Sequence, residues 1–335
     1  MRLLITYDIR AMSMEVKIHK LDELYGSARQ FTESREFWNM LEFCKKMRYL
    51  SPYNAALAQL QRPSARILLS AQKWLSFDRI VKEESRPVMI LLPFSPVDFV
   101  FDINDTVSLN KPLWESENEL IENIRHQLIS KPNAISKQQW DNLYYNMALY
   151  GILEDTTDAE EGRLHKVSVF LGKEKRATKV DALFVIKDCG KRKDREKVYR
   201  LCKEISHLLC HHIPAPNGKE WSARRMNETA RVFEAETVAK LACDHYGIKS
   251  DADGYLCEYV NSHDVIPKSV SPDYVLAAAV EIIQMVQGKI PVDKSLLFKC
   301  DKGFQTKVMR LKNKKRKATA STVTLQDYPV IPGFE

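Results

Sequence analysis

The stretch from Arg200 to His212 restricts the fold of this chain more than any other, because it is one residue short of a metal-binding helix signature. A complete H-E-x-x-H sequence places two histidines on one face of a helix, where both bind one metal ion and the glutamate lies beside the metal-bound water. The chain reads Lys203-Glu-Ile-Ser-His207 in this register. The glutamate and the second histidine are therefore present, and a lysine stands at the position of the first histidine.

The residues around this signature predict a helix over about 194–211. At roughly 100° per residue, its apolar side chains fall on one arc and its charged side chains fall on the opposite arc. A charged arc of this kind is usually a solvated face. The apolar arc holds Val198, Leu201, Cys202, Ile205, Leu208 and Leu209, and the charged arc holds Glu196, Arg200, Lys203, Glu204, His207 and His211.

A second long helix is predicted from Ser222 onward, and it carries a carboxylate among small residues. Glu234 shares an arc with Ala230 and Val238, whereas Glu236 is expected to point to the other side. Burying a carboxylate without a partner is costly. We therefore expect a cation or a metal ion opposite Glu234.

Composition and charge limit the class of protein. A chain of 335 residues, 44% of them apolar, is long enough for two domains plus tails. Its seven cysteines show no C-x-x-C spacing, which argues against a disulfide framework or a cysteine zinc site and favours a reducing compartment. No apolar run reaches the roughly 18 residues that a membrane span needs. We expect a cytoplasmic protein without a membrane partner, and the net charge of +7 permits contact with nucleic acid without requiring it.

Residues 34–110 predict a small α+β domain that follows an N-terminal tail, residues 1–33. Apolar side chains recur at three and four residues from Glu36 to Met47, which indicates a helix, and a second helix follows from Tyr53 to Gln61. Two apolar runs, 88–92 and 97–103, are separated by a proline-bounded turn and indicate an antiparallel hairpin.

The motifs of this region are Phe37-Trp38, Ser51-Pro-Tyr-Asn54, Gln61-Arg-Pro63, Trp74 and Val97-Asp-Phe-Val-Phe-Asp102. Together they resemble the N-terminal domain of ArdC-type antirestriction proteins, which implies a domain that binds single-stranded DNA. The chain departs from the family before the hairpin, where Val81-Lys-Glu-Glu-Ser-Arg86 replaces the usual K-G-E turn. Alternatively, the aromatic side chains fill the core, because stacking platforms are rarer than filled cores. The aromatic residues concerned are Phe37, Trp38, Tyr53 and Trp74.

Residues 111–295 predict a second, helix-rich domain with a small sheet. The expected elements are a helix over 111–128, a helix opened by the capping box Ser136-x-x-Gln139, strands at 167–171 and 182–186, and an apolar helix over 275–286. Residues 251–267 are expected to form loop and turn.

Three motifs occur in order in this region: Ala182-Leu-Phe-Val-Ile186, Lys203-Glu-Ile-Ser-His207 and Glu234-Ala-Glu-Thr-Val-Ala239. In this order they resemble the ImmA/IrrE-type zinc metallopeptidase fold, which implies a zincin-like second domain in an α+β chain of two domains. The resemblance also implies that His207 and Glu234 bind Zn²⁺ and that Glu204 is the general base. Lys203 occupies the position of the first zinc ligand, and a protonated lysine has no lone pair for zinc.

Three arrangements of this site follow. In the first, the ammonium group of Lys203 pairs with Glu234 or Glu204 and replaces the metal, so that the domain is not catalytic. In the second, His211 or His212 reaches in as a substitute ligand, although histidines at a helix end are also stabilised by the helix dipole. In the third, zinc binds weakly through His207, Glu234 and water molecules.

A dense basic run, Lys307 to Lys317, lies in the C-terminal tail, residues 296–335. Runs of this kind are usually solvated, but the neutralisation of phosphates is their commonest specific use. We therefore predict nucleic-acid contact through the end of this run, residues 313–317, where Asn313 is followed by Lys314, Lys315, Arg316 and Lys317.

The leading hypothesis is an ArdC-like, mobile-element-associated protein that binds nucleic acid, single-stranded DNA in particular, and carries a degenerate metallopeptidase domain. The alternative is an active zinc metallopeptidase that cleaves a regulatory protein with a rearranged ligand set. A third hypothesis treats the chain as a protein-binding adaptor. Zinc content, hydrolysis and binding of single-stranded DNA separate the three.

Overall fold

A computed structural model describes residues 32–92, 97–109, 116–128, 135–150, 152–155, 164–165, 184–187, 194–214 and 222–289. They form a mixture of helices and small sheets, which confirms the coarse α+β prediction. They group into two compact units, and the division falls within the helix Glu117–Leu128. The first unit also includes His263–Ile266. The predicted domain boundaries stay predictions, and within the described ranges no helix is long and apolar enough to cross a membrane.

The first unit begins with two helices, α1 (Ser34–Lys46) and α2 (Pro52–Gln61). Ser51 caps α2, because its Oγ accepts a hydrogen bond from the Asn54 N–H. Pro52 occupies the first turn, where its missing N–H removes no helical hydrogen bond. The apolar face predicted for α1 is confirmed by the buried side chains Phe37, Met40, Leu41, Cys44 and Met47.

A three-stranded antiparallel sheet follows in the order β1 (Leu68–Ser70), β4 (Asp98–Asp102), β3 (Val88–Ile90). The pairing of β3 with β4 confirms the predicted hairpin, whose connecting residues 93–96 lie outside the described part of the chain. The remaining elements of this unit are the short helix α3 (Ala71–Leu75) and a two-stranded sheet of β2 (Arg79–Val81) and β5 (Thr106–Ser108).

The aromatic residues of the ArdC-like motifs divide into two groups. Phe37 and Trp74 are fully buried, and the indole Nε1 of Trp74 donates to the carbonyl oxygen of Phe101 at 2.8 Å. For these two the core interpretation is confirmed. Trp38 and Tyr53 are half-buried.

Two side-chain amides of α2 bond to the outer edge of β3 and the residue that follows it. Asn54 Nδ2 donates to the carbonyl of Leu91 at 2.9 Å, and the Leu91 N–H donates to Asn54 Oδ1 at 2.9 Å. Gln61 repeats this arrangement with Met89, at 2.8 and 2.9 Å. Each amide therefore reproduces a peptide group of a neighbouring strand and closes this part of the sheet edge.

The second unit contains a small sheet and most of the helices. The sheet has the order β6 (Ile152–Asp155), β8 (Phe184–Lys187), β7 (Leu164–His165), with β6 parallel and β7 antiparallel to β8. The helices after α4 (Glu117–Leu128) are α5 (Lys137–Leu149), α6 (Asp194–Leu209), α7 (Glu228–His245), α8 (Ala252–Ser262) and α9 (Pro272–Gln287).

The capping box predicted before α5 is present. The Ser136 N–H donates to Gln139 Oε1 at 2.7 Å, and Ser136 Oγ accepts from the Gln139 N–H at 3.3 Å. β8 confirms the strand predicted over 182–186 for its described residues. The strand predicted over 167–171 and the basic run from Lys307 to Lys317 lie outside the described ranges.

The second long helix starts later than predicted. α7 begins at Glu228 and not at Ser222, because Asn227 caps it through a 2.8 Å hydrogen bond from the Ala230 N–H to Asn227 Oδ1. Capping by a polar residue defines a helix start more sharply than periodicity does.

The prediction of loop and turn over 251–267 is wrong, because α8 occupies much of this stretch. The fully buried ammonium of Lys240 on α7 supplies a physical reason. It donates to Asp244 at 2.9 Å and also to Asp253 in the first turn of α8. This ion pair between α7 and α8 stabilises α8, although the aspartate and glycine at the start of α8 favour a turn by their local preferences.

α9 has a defined cap at each end. Ser271 caps the start through a hydrogen bond from the Tyr274 N–H to its Oγ, and Gly288 ends the helix with φ +74°. The positive φ favours glycine, and a Cβ at this position would lie 2.7 Å from Asn142 Nδ2 and displace that amide.

Candidate functional site

The candidate site is built around two carboxylates of α7, both buried. Glu234 is fully buried and Glu236 is 4% exposed. α7 packs against α6, α8 and α9, so two faces of the same helix lie in the interior. Glu236 was expected on the other side of the helix from Glu234, and its carboxylate is buried there as well.

Glu236 is paired with the lysine that replaces the first histidine of the signature. Lys203 Nζ lies 2.7 Å from Glu236 Oε1, and the Tyr199 hydroxyl donates to Oε2 at 2.6 Å. Burial and the hydrogen bond to Glu236 raise the pKa of Tyr199, which keeps the phenol protonated as a donor. An ion pair of Lys203 was predicted with Glu234 or Glu204, and the partner among these buried acids is instead Glu236.

Glu234 is paired with Arg224, a residue that no sequence pattern singled out. Arg224 donates through both terminal nitrogens to the two carboxylate oxygens of Glu234, at 2.7 and 3.0 Å. The Ser271 N–H donates to Oε1 at 2.7 Å. The cation that was expected opposite Glu234 is therefore a guanidinium group held by two parallel hydrogen bonds.

Further contacts fix Arg224 in this position. It donates to the carbonyl oxygens of Cys210 at 3.2 Å and Ser269 at 2.8 Å. Its guanidinium carbon lies 4.4 Å from the ring centroid of Tyr274, within the range of a cation–π contact. Arg224 lies in residues 222–227, which have no regular secondary structure, and this explains why periodicity could not reveal it.

A pair of histidines connects α6 to Glu234. His207 Nδ1 and His212 Nδ1 are 2.8 Å apart, and His212 Nε2 is 2.8 Å from Glu234 Oε2. A carboxylate only accepts hydrogen bonds, so we assign the proton of His212 to Nε2 and the shared proton to Nδ1 of His207. Burial, together with electrostatic interactions with His212, Lys203 and Arg231, lowers the pKa of His207 to about 3. His207 is therefore neutral near pH 7.

His211 turns the chain so that His212, and not His211, reaches the carboxylate. His211 has φ +55°, a left-handed conformation that ends α6 and directs His212 back over the last turn. The ring of His211 instead contacts Tyr274 at 5.2 Å between centroids. Of the two substitutes considered for the missing ligand, His211 is not brought to Glu234 and His212 is.

Cys210, His212 and Glu234 form a buried group whose side chains are all metal-ligand types. One ligand atom from each lies within 4.8 Å of the others, and all three residues are buried. Among the described residues, this group is the one that could hold a metal ion. No sequence pattern singled out Cys210, because the absence of C-x-x-C spacing says nothing about a single cysteine close to a histidine.

The same group does not have the properties of a cysteine nucleophile. Burial raises the pKa of the Cys210 thiol, and its side chain has no exposed surface. Both ring nitrogens of His212 are engaged, one with His207 and one with Glu234. No histidine nitrogen of this group is therefore left to accept the thiol proton.

The residues implied by the metallopeptidase resemblance are only partly brought together. Glu204 is buried on α6, and His207 is connected to Glu234 through the ring of His212. Lys203 bonds to Glu236 and not to either of the two expected carboxylates, Glu234 and Glu204. Comparisons with family models, with curated proteins and with solved structures find no match for this chain.

Proposed function

We propose that this chain is a binding protein whose second unit keeps the helix pair of a zinc hydrolase and uses side-chain cations in place of the metal. The observation that carries the proposal is the bidentate ion pair between Arg224 and Glu234. Arg224 occupies both oxygens of the carboxylate that a metal ion would need as a ligand. Hydrolysis of a peptide bond is then not the activity of this unit.

The side chains available as metal ligands around the site support a unit that does not bind a catalytic zinc ion. A catalytic zinc ion takes three protein ligands and an open position for water. Lys203 offers no lone pair while it is protonated and bonded to Glu236, and Glu234 already accepts from Arg224, Ser271 and His212. A divalent ion would have to displace the half-buried guanidinium group of Arg224 to reach this carboxylate.

The metal content and hydrolytic activity of the purified protein test this part of the proposal. After exposure to zinc and dialysis, we expect no stoichiometric zinc, and we expect hydrolysis of unfolded protein substrates to be the same for wild type and Glu204→Gln. Zinc at one ion per chain, together with an activity that Glu204→Gln abolishes, would overturn it.

Single-stranded DNA is the ligand that we propose for this binding protein. The ArdC-like motifs support it, and so do the half-buried Trp38 and Tyr53, the net charge of +7 and the basic run that ends at Lys317. Phe37 and Trp74 are excluded from stacking on bases because they fill the core. Half-buried aromatic side chains and basic residues are the combination by which single strands are bound without sequence preference.

Fluorescence anisotropy with labelled oligonucleotides tests this part. We expect single-stranded DNA to bind more tightly than a duplex of the same length, with affinity that falls between about 50 and 200 mM salt. Replacing Lys314, Lys315, Arg316 and Lys317 by glutamine should weaken binding and flatten its salt dependence. Trp38→Ala should weaken binding, whereas Trp140→Ala, a half-buried tryptophan of the second unit, should not. A wild-type protein that binds no single-stranded DNA would remove nucleic acid from the proposal, and equal binding by all variants would remove these residues from it.

An active zinc metallopeptidase with a rearranged ligand set is the second candidate. The observation that favours it is the group formed by Cys210, His212 and Glu234. This candidate requires stoichiometric zinc in the wild-type protein and cleavage of a regulatory protein. The metal analysis above therefore separates the two candidates.

A further inference from the structure

Cys210, His212 and Glu234 converge because of how α6 ends. Cys210 directly follows α6, the left-handed residue His211 reverses the chain, and His212 then extends its Nε2 to Glu234 on α7. Thiolate, imidazole and carboxylate are the ligand types that zinc takes in proteins. This ligand set differs from the one that the metallopeptidase resemblance implies, since it contains neither His207 nor the residue at position 203.

Arg224 lies beside these three residues, and its guanidinium group competes with a metal ion for Glu234. Its guanidinium occupies both carboxylate oxygens and also bonds to the carbonyl of Cys210. Glu234 is fully buried, so removing Arg224 would leave a buried carboxylate without its full countercharge. A divalent ion could supply that charge.

We propose that Cys210, His212 and Glu234 form a Zn²⁺ site whose occupancy is controlled by Arg224. The ion binds when the guanidinium group is not bonded to Glu234, and it is excluded while that ion pair is intact. The proposal rests on the proposed function, in which Arg224 supplies the positive charge opposite Glu234. The ligand class is a borderline divalent ion that accepts one sulfur, one nitrogen and one oxygen ligand, for which Zn²⁺ and its spectroscopic substitute Co²⁺ are suited.

His207 is a positioning residue in this site and not a ligand. When an ion binds through His212 Nε2, the proton of that nitrogen must move to Nδ1. His212 Nδ1 then donates to His207 Nδ1, and His207 carries its proton on Nε2. The two rings keep two protons in total, so the one proton released to solvent is that of the Cys210 thiol. A metal-binding histidine is commonly oriented by a hydrogen bond at its other ring nitrogen, and the 2.8 Å contact between the two Nδ1 atoms provides it.

Cobalt titration of Arg224→Gln tests the proposal. We expect this variant to bind one Co²⁺ per chain, at least about 100-fold more tightly than the wild type, with a near-ultraviolet absorption band from thiolate to cobalt. Cys210→Ser in the Arg224→Gln background should abolish the band. Arg224→Lys keeps the positive charge and should bind Co²⁺ no better than about tenfold above the wild type.

His207→Ala in the Arg224→Gln background identifies the ligand set. We expect one Co²⁺ per chain to remain, with an affinity about 10- to 100-fold lower, because only the orientation of His212 is lost. Loss of all binding would show that His207 is itself a ligand and would overturn the assignment. A band that survives Cys210→Ser would overturn it as well.

The folding of each variant is checked by circular dichroism. If Arg224→Gln does not fold, the wild-type protein is titrated to millimolar Co²⁺, where the proposal requires a thiolate band that Cys210→Ser removes, and its absence overturns the proposal. The two proposals fail separately. Stoichiometric zinc in the wild type contradicts the proposed function, whereas a metal-free wild type together with a folded Arg224→Gln that binds no ion contradicts only the inference drawn here.

Discussion

Lys203 Nζ lies 2.7 Å from Oε1 of Glu236, so the residue that replaces the first histidine of the signature is bonded to the second carboxylate of the Glu-Ala-Glu sequence in α7. The first carboxylate, Glu234, bonds to Arg224 instead. Each buried acid of α7 in this site therefore has its own side-chain cation. This division of partners explains how α7 holds these two carboxylates in the interior.

The ion pair between Lys203 and Glu236 predicts a coupled effect on stability. Lys203→Met should lower the free energy of unfolding by about 1–3 kcal/mol, because Glu236 is buried whereas the side chain of Lys203 is 29% exposed. The double variant Lys203→Met with Glu236→Gln should recover part of this loss, since no buried charge is left unpaired. Urea denaturation of the wild type, Lys203→Met, Glu236→Gln and the double variant measures the coupling, and strictly additive losses would contradict it.

Restoring the complete signature tests the role of Arg224. Lys203→His recreates H-E-x-x-H, and a protein limited only by the missing histidine should then bind zinc. We expect no stoichiometric zinc in Lys203→His, because Arg224 still occupies both oxygens of Glu234. Metal analysis after zinc loading and dialysis provides the measurement. Zinc binding by Lys203→His with Arg224 in place would contradict the role given to the guanidinium.

The amides of Asn54 and Gln61 should stabilise the first unit through the edge of its sheet. Gln61→Ala leaves a donor and an acceptor of Met89 without these partners and should cost about 1–3 kcal/mol. Gln61→Glu keeps the acceptor and loses the donor, so we expect a smaller loss near neutral pH. Gln72→Ala, on the exposed surface of α3, is the matched control and should change stability by less than about 0.5 kcal/mol. Equal effects at both positions would argue against the edge role.

The buried Lys240 should hold α8 against α7. Lys240→Met removes the ammonium that bonds to Asp244 and Asp253, and it should lower the free energy of unfolding by about 3–5 kcal/mol. Limited proteolysis should then cut near residues 251–262 sooner than in the wild type. Lys249→Met, at an exposed position, is the control and should leave both measurements unchanged within about 0.5 kcal/mol. Unchanged proteolysis in Lys240→Met would contradict the anchoring role.

The parts of the fold that the sequence predicts are those encoded by neighbouring residues. The apolar face of α1, the hairpin of β3 and β4, and the capping box at Ser136 depend on short-range spacing, and all three are confirmed. The site depends on partners from different segments. Lys203 could bond to any of several carboxylates that reach the same interior, and spacing alone does not distinguish Glu236 from Glu234.

Two failures have specific physical causes. Arg224 lies in a segment without periodicity, and its bonds to Glu234 and Ser269 are determined by the path of the chain, not by its local sequence. α8 starts with residues that favour turns, and the ammonium of Lys240 on another helix overrides that preference. The sequence signal that could have indicated acidic partners nearby is the position of Lys240 within the apolar run Val238-Ala-Lys-Leu-Ala-Cys243.

The metal content of the wild-type protein tests the central claim most directly. Protein purified without chelators, loaded with excess Zn²⁺ and dialysed is analysed by mass spectrometry for metal per chain. The ion pairs of Arg224 with Glu234 and of Lys203 with Glu236 predict that no stoichiometric zinc remains. One tightly bound zinc ion per chain would contradict the claim that side-chain cations stand where the metal would be.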